Sequence, residues 1–128
     1  FTVSCINNKT TKFGKQLFPE FVITQSAKSA ETLKDIQQFF GCGSIVLNKR
    51  YDNHREHLYR FCVRSITDLH EKITPFFDEF QLKTSKRDDF LKFKEVIALM
   101  IEKKHLTEKG FSQILAIAEQ MNRKKNRH

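Results

Sequence analysis

The side chains best suited to chemistry in this sequence are hydrogen-bonding residues spaced two or four apart. Thr2 and Ser4, then Gln16, Glu20 and Thr24, then Ser44 and Asn48, recur at the period of an extended chain. Each set therefore falls on one face of a strand. Lys9, Lys12, Lys15, Lys49, Arg50 and Arg55 sit in the connections that flank those stretches. A row of donors and acceptors with a cationic rim fits a DNA major groove, the rim holding phosphates and the row reading base edges. The same pattern describes a solvated sheet face whose Lys and Arg keep it soluble, and spacing leaves both readings open. Val22 and Val46 share the row but offer only apolar contacts, for example to thymine methyl groups.

Other constellations carry less. His54 and His57 offer two imidazoles, but they lie across a polar hairpin tip with no further ligand type nearby, so hairpin polarity or phosphate contact explains them better than a metal. Asp88 and Asp89 look like a paired carboxylate, yet they occupy a helix start, where the dipole favours acids in any case. Cys5, Cys42 and Cys62 are odd in number, lack metal-ligand spacing and lie in apolar stretches; buried, reduced thiols in a cytosol-like compartment are expected. No Ser/His/Asp or Cys/His arrangement and no glycine-rich phosphate loop stands out.

The elements that would position the row can be read along the chain. Phe1 to Ile6 alternates as a half-buried strand, and Asn7 to Lys15 is a polar, basic connector. Gln16 to Thr24 closes a hairpin, and Pro19, which has no amide to donate, places this strand partly at an edge or at a bulge. Beyond Gln25 the period becomes helical, with Leu33, Ile36, Phe39 and Phe40 inward and Gly41 and Gly43 as the stop. Ser44 to Arg50 and His57 to Arg64 form a second hairpin with a polar tip, Tyr51 to Glu56. Ser65 to Asp68 has capping-box spacing and opens a helix that Pro75 restarts, carrying Phe76, Phe77 and Phe80 into the core. After a basic segment, Gln81 to Lys86, a second capping-box candidate at Ser85 opens a helix with Phe90, Phe93, Ile97, Met100 and Ile101 inward. A last helix begins near Thr107, with Phe111, Ile114, Leu115, Ala118 and Met121 on one face.

This order is ββαββα followed by further helix. It predicts an α+β fold, one four-stranded antiparallel sheet with helices on a single face, in one domain spanning residues 1–128. Composition agrees: 128 residues with thirteen Phe, four Gly and two Pro describe a packed domain, not a disordered one. The net charge of +8 favours a polyanionic partner, most often nucleic acid, over a merely basic soluble protein. No apolar run approaches the ~20 residues of a membrane span, so no membrane partner is expected.

Six fragments in this order resemble the body of a LAGLIDADG homing endonuclease: Phe1–Ser4, Pro19–Gln25, Phe39–Gly43, Val63–Ser65, Ile73–Phe77 and Leu82–Lys86. The resemblance covers essentially the whole chain. It implies a saddle-like sheet that binds a long duplex site and a Mg²⁺-dependent DNA endonuclease active in intron homing. The family's signature helix ends in the acid that binds the metal, and it forms the interface between two such units. That helix is expected just before Phe1 and is not among the 128 residues, so the metal ligand is not expected in this chain. The partners implied are double-stranded DNA and either a second copy or the missing N-terminal segment. By the same likeness Gln25 matches a strand-end glutamine near the active site, and Lys83 or Lys86 matches the basic residue placed close to the scissile phosphate. Thr2, Ser4, Gln16, Glu20, Ser44, Asn48 and Tyr59 are the expected base contacts, with Lys9, Lys12, Lys15 and Arg50 on phosphates. An alternative is a maturase-like or ribonucleoprotein component that binds structured RNA without cleaving, since some relatives act as intron maturases. Either role places the protein inside the cell, in the cytoplasm or an organelle such as a chloroplast or mitochondrion.

Overall fold

A computed structural model describes residues 1–48 and 57–125. The elements follow the expected order. They are β1 (Thr2–Asn7), β2 (Lys15–Ser26), α1 (Ala30–Phe40), β3 (Ser44–Asn48), β4 (Leu58–Val63), α2 (Ile66–Asp68), α3 (Thr74–Glu79), α4 (Ser85–Ile101) and α5 (Glu108–Lys125). The four strands form one sheet in the order β1-β2-β4-β3, every neighbouring pair antiparallel. The first half of β2 pairs with β1 and the second half with β4. Pro19, opposite Val3, therefore lies where β2 has a partner on one side only, as a residue without an amide requires.

Register fixes the two faces. Val3, Leu17, Phe21, Phe61 and Val63 share one face and are buried with Leu33, Leu69, Ile73, Phe93, Ile97, Ile114 and Met121 in a single core. The helices lie on that side: α1 packs on β2, β3 and β4, α4 on β2, and α5 on β1. Phe1 completes the core from the chain start, its ring 5.1–5.3 Å from those of Phe21, Phe77, Phe90 and Phe93.

Local signals explain most boundaries. Ser65 Oγ accepts from the Asp68 amide at 3.3 Å, the expected cap of α2. From there the chain runs through a π-helical turn, Leu69–Ile73, into α3. Pro75 supplies no amide and its ring would crowd the preceding turn, so a locally widened helix accommodates it. Thr107 accepts from the Gly110 amide at 3.0 Å and starts α5 where expected.

Several sequence expectations are corrected. Ser85 is the first residue of α4 and not its cap; Thr84 precedes it with no side-chain cap, at φ +63° and ψ −147°. Phe39 is exposed, because Leu33, Ile36 and Phe40 make one helical stripe and a residue at 39 is rotated off it. Phe80 falls just after α3 ends and stays exposed, although its ring is 4.9 Å from that of Phe76. Ile101, at the last residue of α4, is also exposed. Of the three cysteines only Cys62 is buried; Cys5 is exposed and Cys42 intermediate, and all three are free thiols.

Candidate nucleic-acid interface

The second face of the sheet is left open among the described residues. Register brings Thr2 opposite Glu20, Ser4 opposite Phe18 and Ile6 opposite Gln16. It continues through Val22 opposite Cys62 and Thr24 opposite Arg60, then Ser44 opposite Cys62 and Val46 opposite Arg60. Thr2, Ser4, Gln16, Glu20 and Ser44 thus share one surface, as alternation requires. Asn48 ends β3, its backbone opposite Leu58. Arg50, Lys49, Arg55 and His54 lie outside the described residues.

The β1–β2 connection is shaped by Asn8, whose Oδ1 accepts from the amide and hydroxyl of Thr10 at 3.1 and 2.7 Å. Its Nδ2 donates to Gln16 Oε1 at 2.9 Å, which holds that glutamine against the turn. Lys9, Lys12 and Lys15 are exposed around this tip, with Lys12 Nζ 5.5 Å from the Phe13 ring centroid. The cations therefore stand at one end of the open face.

Two arginines join the face that sequence reasoning did not single out. Arg60 and Arg64 both ion-pair with Glu20, Arg60 at 3.3 Å. The Arg64 guanidinium is held further in its charged form, chiefly by donating a hydrogen bond to that carboxylate. Arg60 and Cys62 of β4 and Arg64 just beyond it fall at period two, so the spacing contained the signal, but the partner on β2 is 40 and 44 residues away from the two arginines. Glu20 consequently orients two guanidiniums and does not project as a lone acceptor. Between them Cys62 is buried, and its thiol is pushed up by burial and by Glu20, against the opposing pull of Arg60 and Arg64.

Tyr59 does not join this surface. It pairs with Gln25 and Leu47 and lies half-buried against the core on the helix-covered side. Gln25 shares that inner parity and is half-buried near the end of β2. Lys83 and Lys86 are both exposed around the start of α4. Lys86 lines a cavity of about 340 Å³ with Phe1, Phe21, Ile23, Leu82 and Asp89, whereas Gln25 and Lys83 do not. One oxygen of Asp89, Oδ1, is buried there without a hydrogen-bond partner. A single carboxylate beside a lysine is a poor divalent-cation site. Among the described residues no group of three or more His, Cys, Asp or Glu could hold a metal ion. The residues present therefore do not fit a metal centre by themselves. Next to this cavity an apolar groove of about 480 Å³ runs between α1 and α3, walled by Ile36, Phe39, Phe40, Phe76 and Phe77. Among the described residues no helix is long and apolar enough to cross a membrane.

Residues 1–97 match the family model described as LAGLIDADG endonuclease. The probable intron-encoded endonuclease 2 of Neurospora crassa is 36% identical over 107 residues, 84% of this chain and 23% of the relative. The chain thus spans about a quarter of the length of the curated relatives it matches. The crystal structure of the homing endonuclease I-TnaI is 38% identical, with a TM-score of 0.80 over 95% of this chain and 78% of that one. I-SmaMI, bound to uncleaved DNA target in the presence of calcium ions, is 28% identical, with a TM-score of 0.83 over 95% of this chain and 40% of that one.

Proposed function

The chain belongs to the LAGLIDADG endonuclease family, and on that premise we propose that it is the DNA-reading body of a site-specific homing endonuclease unit. The observation that carries this reading is the open sheet face, a period-2 surface of hydrogen-bonding side chains with cations at its end. Thr2, Ser4, Gln16 and Ser44 read base edges there, with Asn48 continuing the row. Lys9, Lys12, Lys15 and Arg50 hold phosphates. Glu20 positions Arg60 and Arg64, whose forked donors suit guanine edges or phosphate oxygens.

Phosphodiester hydrolysis by this unit would use a divalent metal, Mg²⁺ by the family resemblance, once the family's acidic motif is supplied. The residues of this chain would then act around the scissile phosphate: Lys86, and Lys83 beside it, as cations near the phosphate, and Gln25 as an orienter of bound water. The apolar groove between α1 and α3 is read as the seat of the helix that carries the acid. The I-SmaMI complex with DNA and calcium and the intron-encoded relatives support this assignment and an intracellular location beside an intron-bearing genome.

The test is selection of a random duplex library on the 128-residue chain, with structured RNA as competitor. If Lys9, Lys12, Lys15 and Arg50 each neutralise a phosphate, the slope of log K against log salt is about −3 to −4. Affinity then falls roughly a hundredfold between 50 and 200 mM salt. Enrichment of one long duplex sequence with that slope supports the reading. Salt-sensitive binding to structured RNA with no duplex enriched would replace it with the maturase-like alternative.

A further inference from the structure

The outer part of the open face holds a feature that phosphate binding does not need. Ile6 and Phe18 are 52% and 40% exposed, and they stand diagonally across the β1–β2 ladder because Ser4 is the residue opposite Phe18. With Ser4, Glu20 and Arg64 they line a cleft of about 330 Å³. The cleft has two chemically distinct ends. Ile6 and Phe18 make an apolar wall toward the edge strand, and the Glu20–Arg64 ion pair makes a charged lip on the inner side.

Taking the proposed duplex-reading role as its basis, we infer that this cleft is a specificity pocket for a thymine C5-methyl group. The base pair engaged would neighbour one whose guanine faces Arg64. The major groove presents a single apolar group, the thymine methyl, and it stands beside acceptors on neighbouring bases. An apolar wall with the hydrogen-bonding Ser4 beside it and a guanidinium held by Glu20 at its lip matches that pairing. Arg64 is suited to guanine O6 and N7 because Glu20 accepts from its Nε while the side chain stays largely exposed, which leaves the terminal nitrogens to a further acceptor. A face that contacted only phosphates would gain nothing from two large apolar side chains in water.

The experiment begins with the duplex selected by the intact chain. Each thymine in the bound region is replaced singly by deoxyuridine, which removes the methyl and keeps the pairing. At the position over the cleft, affinity should fall about fourfold, the worth of one buried methyl. Replacing that T·A pair with 5-methylcytosine·G should recover more binding than cytosine·G does. Phe18→Ser should bind the thymine and uracil duplexes equally, and Ile6→Thr provides a second variant if Phe18→Ser melts early. A flat uracil scan with tight, salt-sensitive duplex binding would overturn the pocket while leaving the DNA-reading role intact. Absence of duplex binding at any salt would overturn both. Self-association of the chain that Phe18→Ser abolishes would reassign the cleft to a contact between copies and overturn the methyl pocket.

Discussion

Gly43 leads the chain into β3, the edge strand beside β4, and replacing it with Ala should damage the fold in a calculable way. It precedes β3, and the register that follows places Ser44 opposite Cys62 and Val46 opposite Arg60. Its φ is +89°, and a Cβ there would lie 2.6 and 2.9 Å from ring carbons of Phe61 and 2.9 Å from the Cys62 carbonyl oxygen. Phe61 is fully buried and has no room to swing aside. The left-handed backbone costs an L-residue about 1–2 kcal/mol, and forcing a methyl into a packed site costs about 1–3 kcal/mol. Gly43→Ala should therefore destabilise by roughly 2–5 kcal/mol in total. Gly41 is the internal control. Its φ is +68°, but a Cβ would meet only Lys72 Nζ at 3.9 Å, so Gly41→Ala should cost only the backbone part, about 1–2 kcal/mol. For a chain of this size 1 kcal/mol moves the melting temperature by about 4 °C, so the expected drops are roughly 8–20 °C for Gly43→Ala and about 4–8 °C for Gly41→Ala. Thermal unfolding followed by circular dichroism measures both. Equal melting temperatures, or a milder effect at Gly43, would refute the close approach of β3 to Phe61 and Cys62.

The remaining predictions concern single groups. Alkylation with iodoacetamide on the folded protein should label the exposed Cys5 first and Cys62 last, since Cys62 is 3% exposed and its thiol is pushed up by burial and by Glu20; mass spectrometry showing equal rates would contradict the packing of β4. Burial lowers the pKa of His105 below its ordinary value, and its Nδ1 has no partner. The unfolded chain then binds the proton more readily, so the His105 contribution is complete above about pH 6.5 and is lost as pH falls from there toward the folded pKa. Urea titrations should show that loss in the wild type and a flatter profile in His105→Gln, and an identical slope in both would refute it. Thr84 sits at φ +63° and ψ −147°, a region glycine occupies at no steric cost. Relief of about 1–3 kcal/mol of strain should outweigh the loss of its 2.6 Å hydrogen bond to the Lys83 carbonyl and the added chain entropy. Thr84→Gly should thus raise the melting temperature by about 4 °C, and a fall of that size would show the backbone there to be unstrained.

Much of this architecture was legible because it is local. The alternation of Phe1, Val3 and Cys5 against Thr2, Ser4 and Ile6 assigned the faces of β1, and Ser65 to Asp68 marked a true cap. The lone missing amide of Pro19 correctly placed β2 where one side lacks a partner. What escaped reading depends on contacts distant in sequence or on phase. The Glu20–Arg60–Arg64 cluster joins residues 40 and 44 apart, which no window spans. Phe39 and Phe80 are apolar and lie in helical surroundings, yet one is rotated off the buried stripe and the other falls beyond its helix end. Tyr59 shares the parity of Phe61 and Val63, so strict alternation would have placed it inside, and the family likeness pulled it outward. The apolar cleft at Ile6 and Phe18 escaped for a simpler reason: alternation puts both on the face of the polar row, but which residues stand side by side there depends on the β1–β2 register.

The central claim is that the open sheet face meets the duplex, and amide NMR of the chain titrated with its selected duplex addresses it directly. Perturbations should concentrate at Ser4, Phe18, Thr24, Ser44, Val46 and Arg60 and around the Lys9–Lys15 tip, with the outward faces of α4 and α5 unchanged. Perturbations confined to α4 and α5, with the sheet face silent, would contradict it.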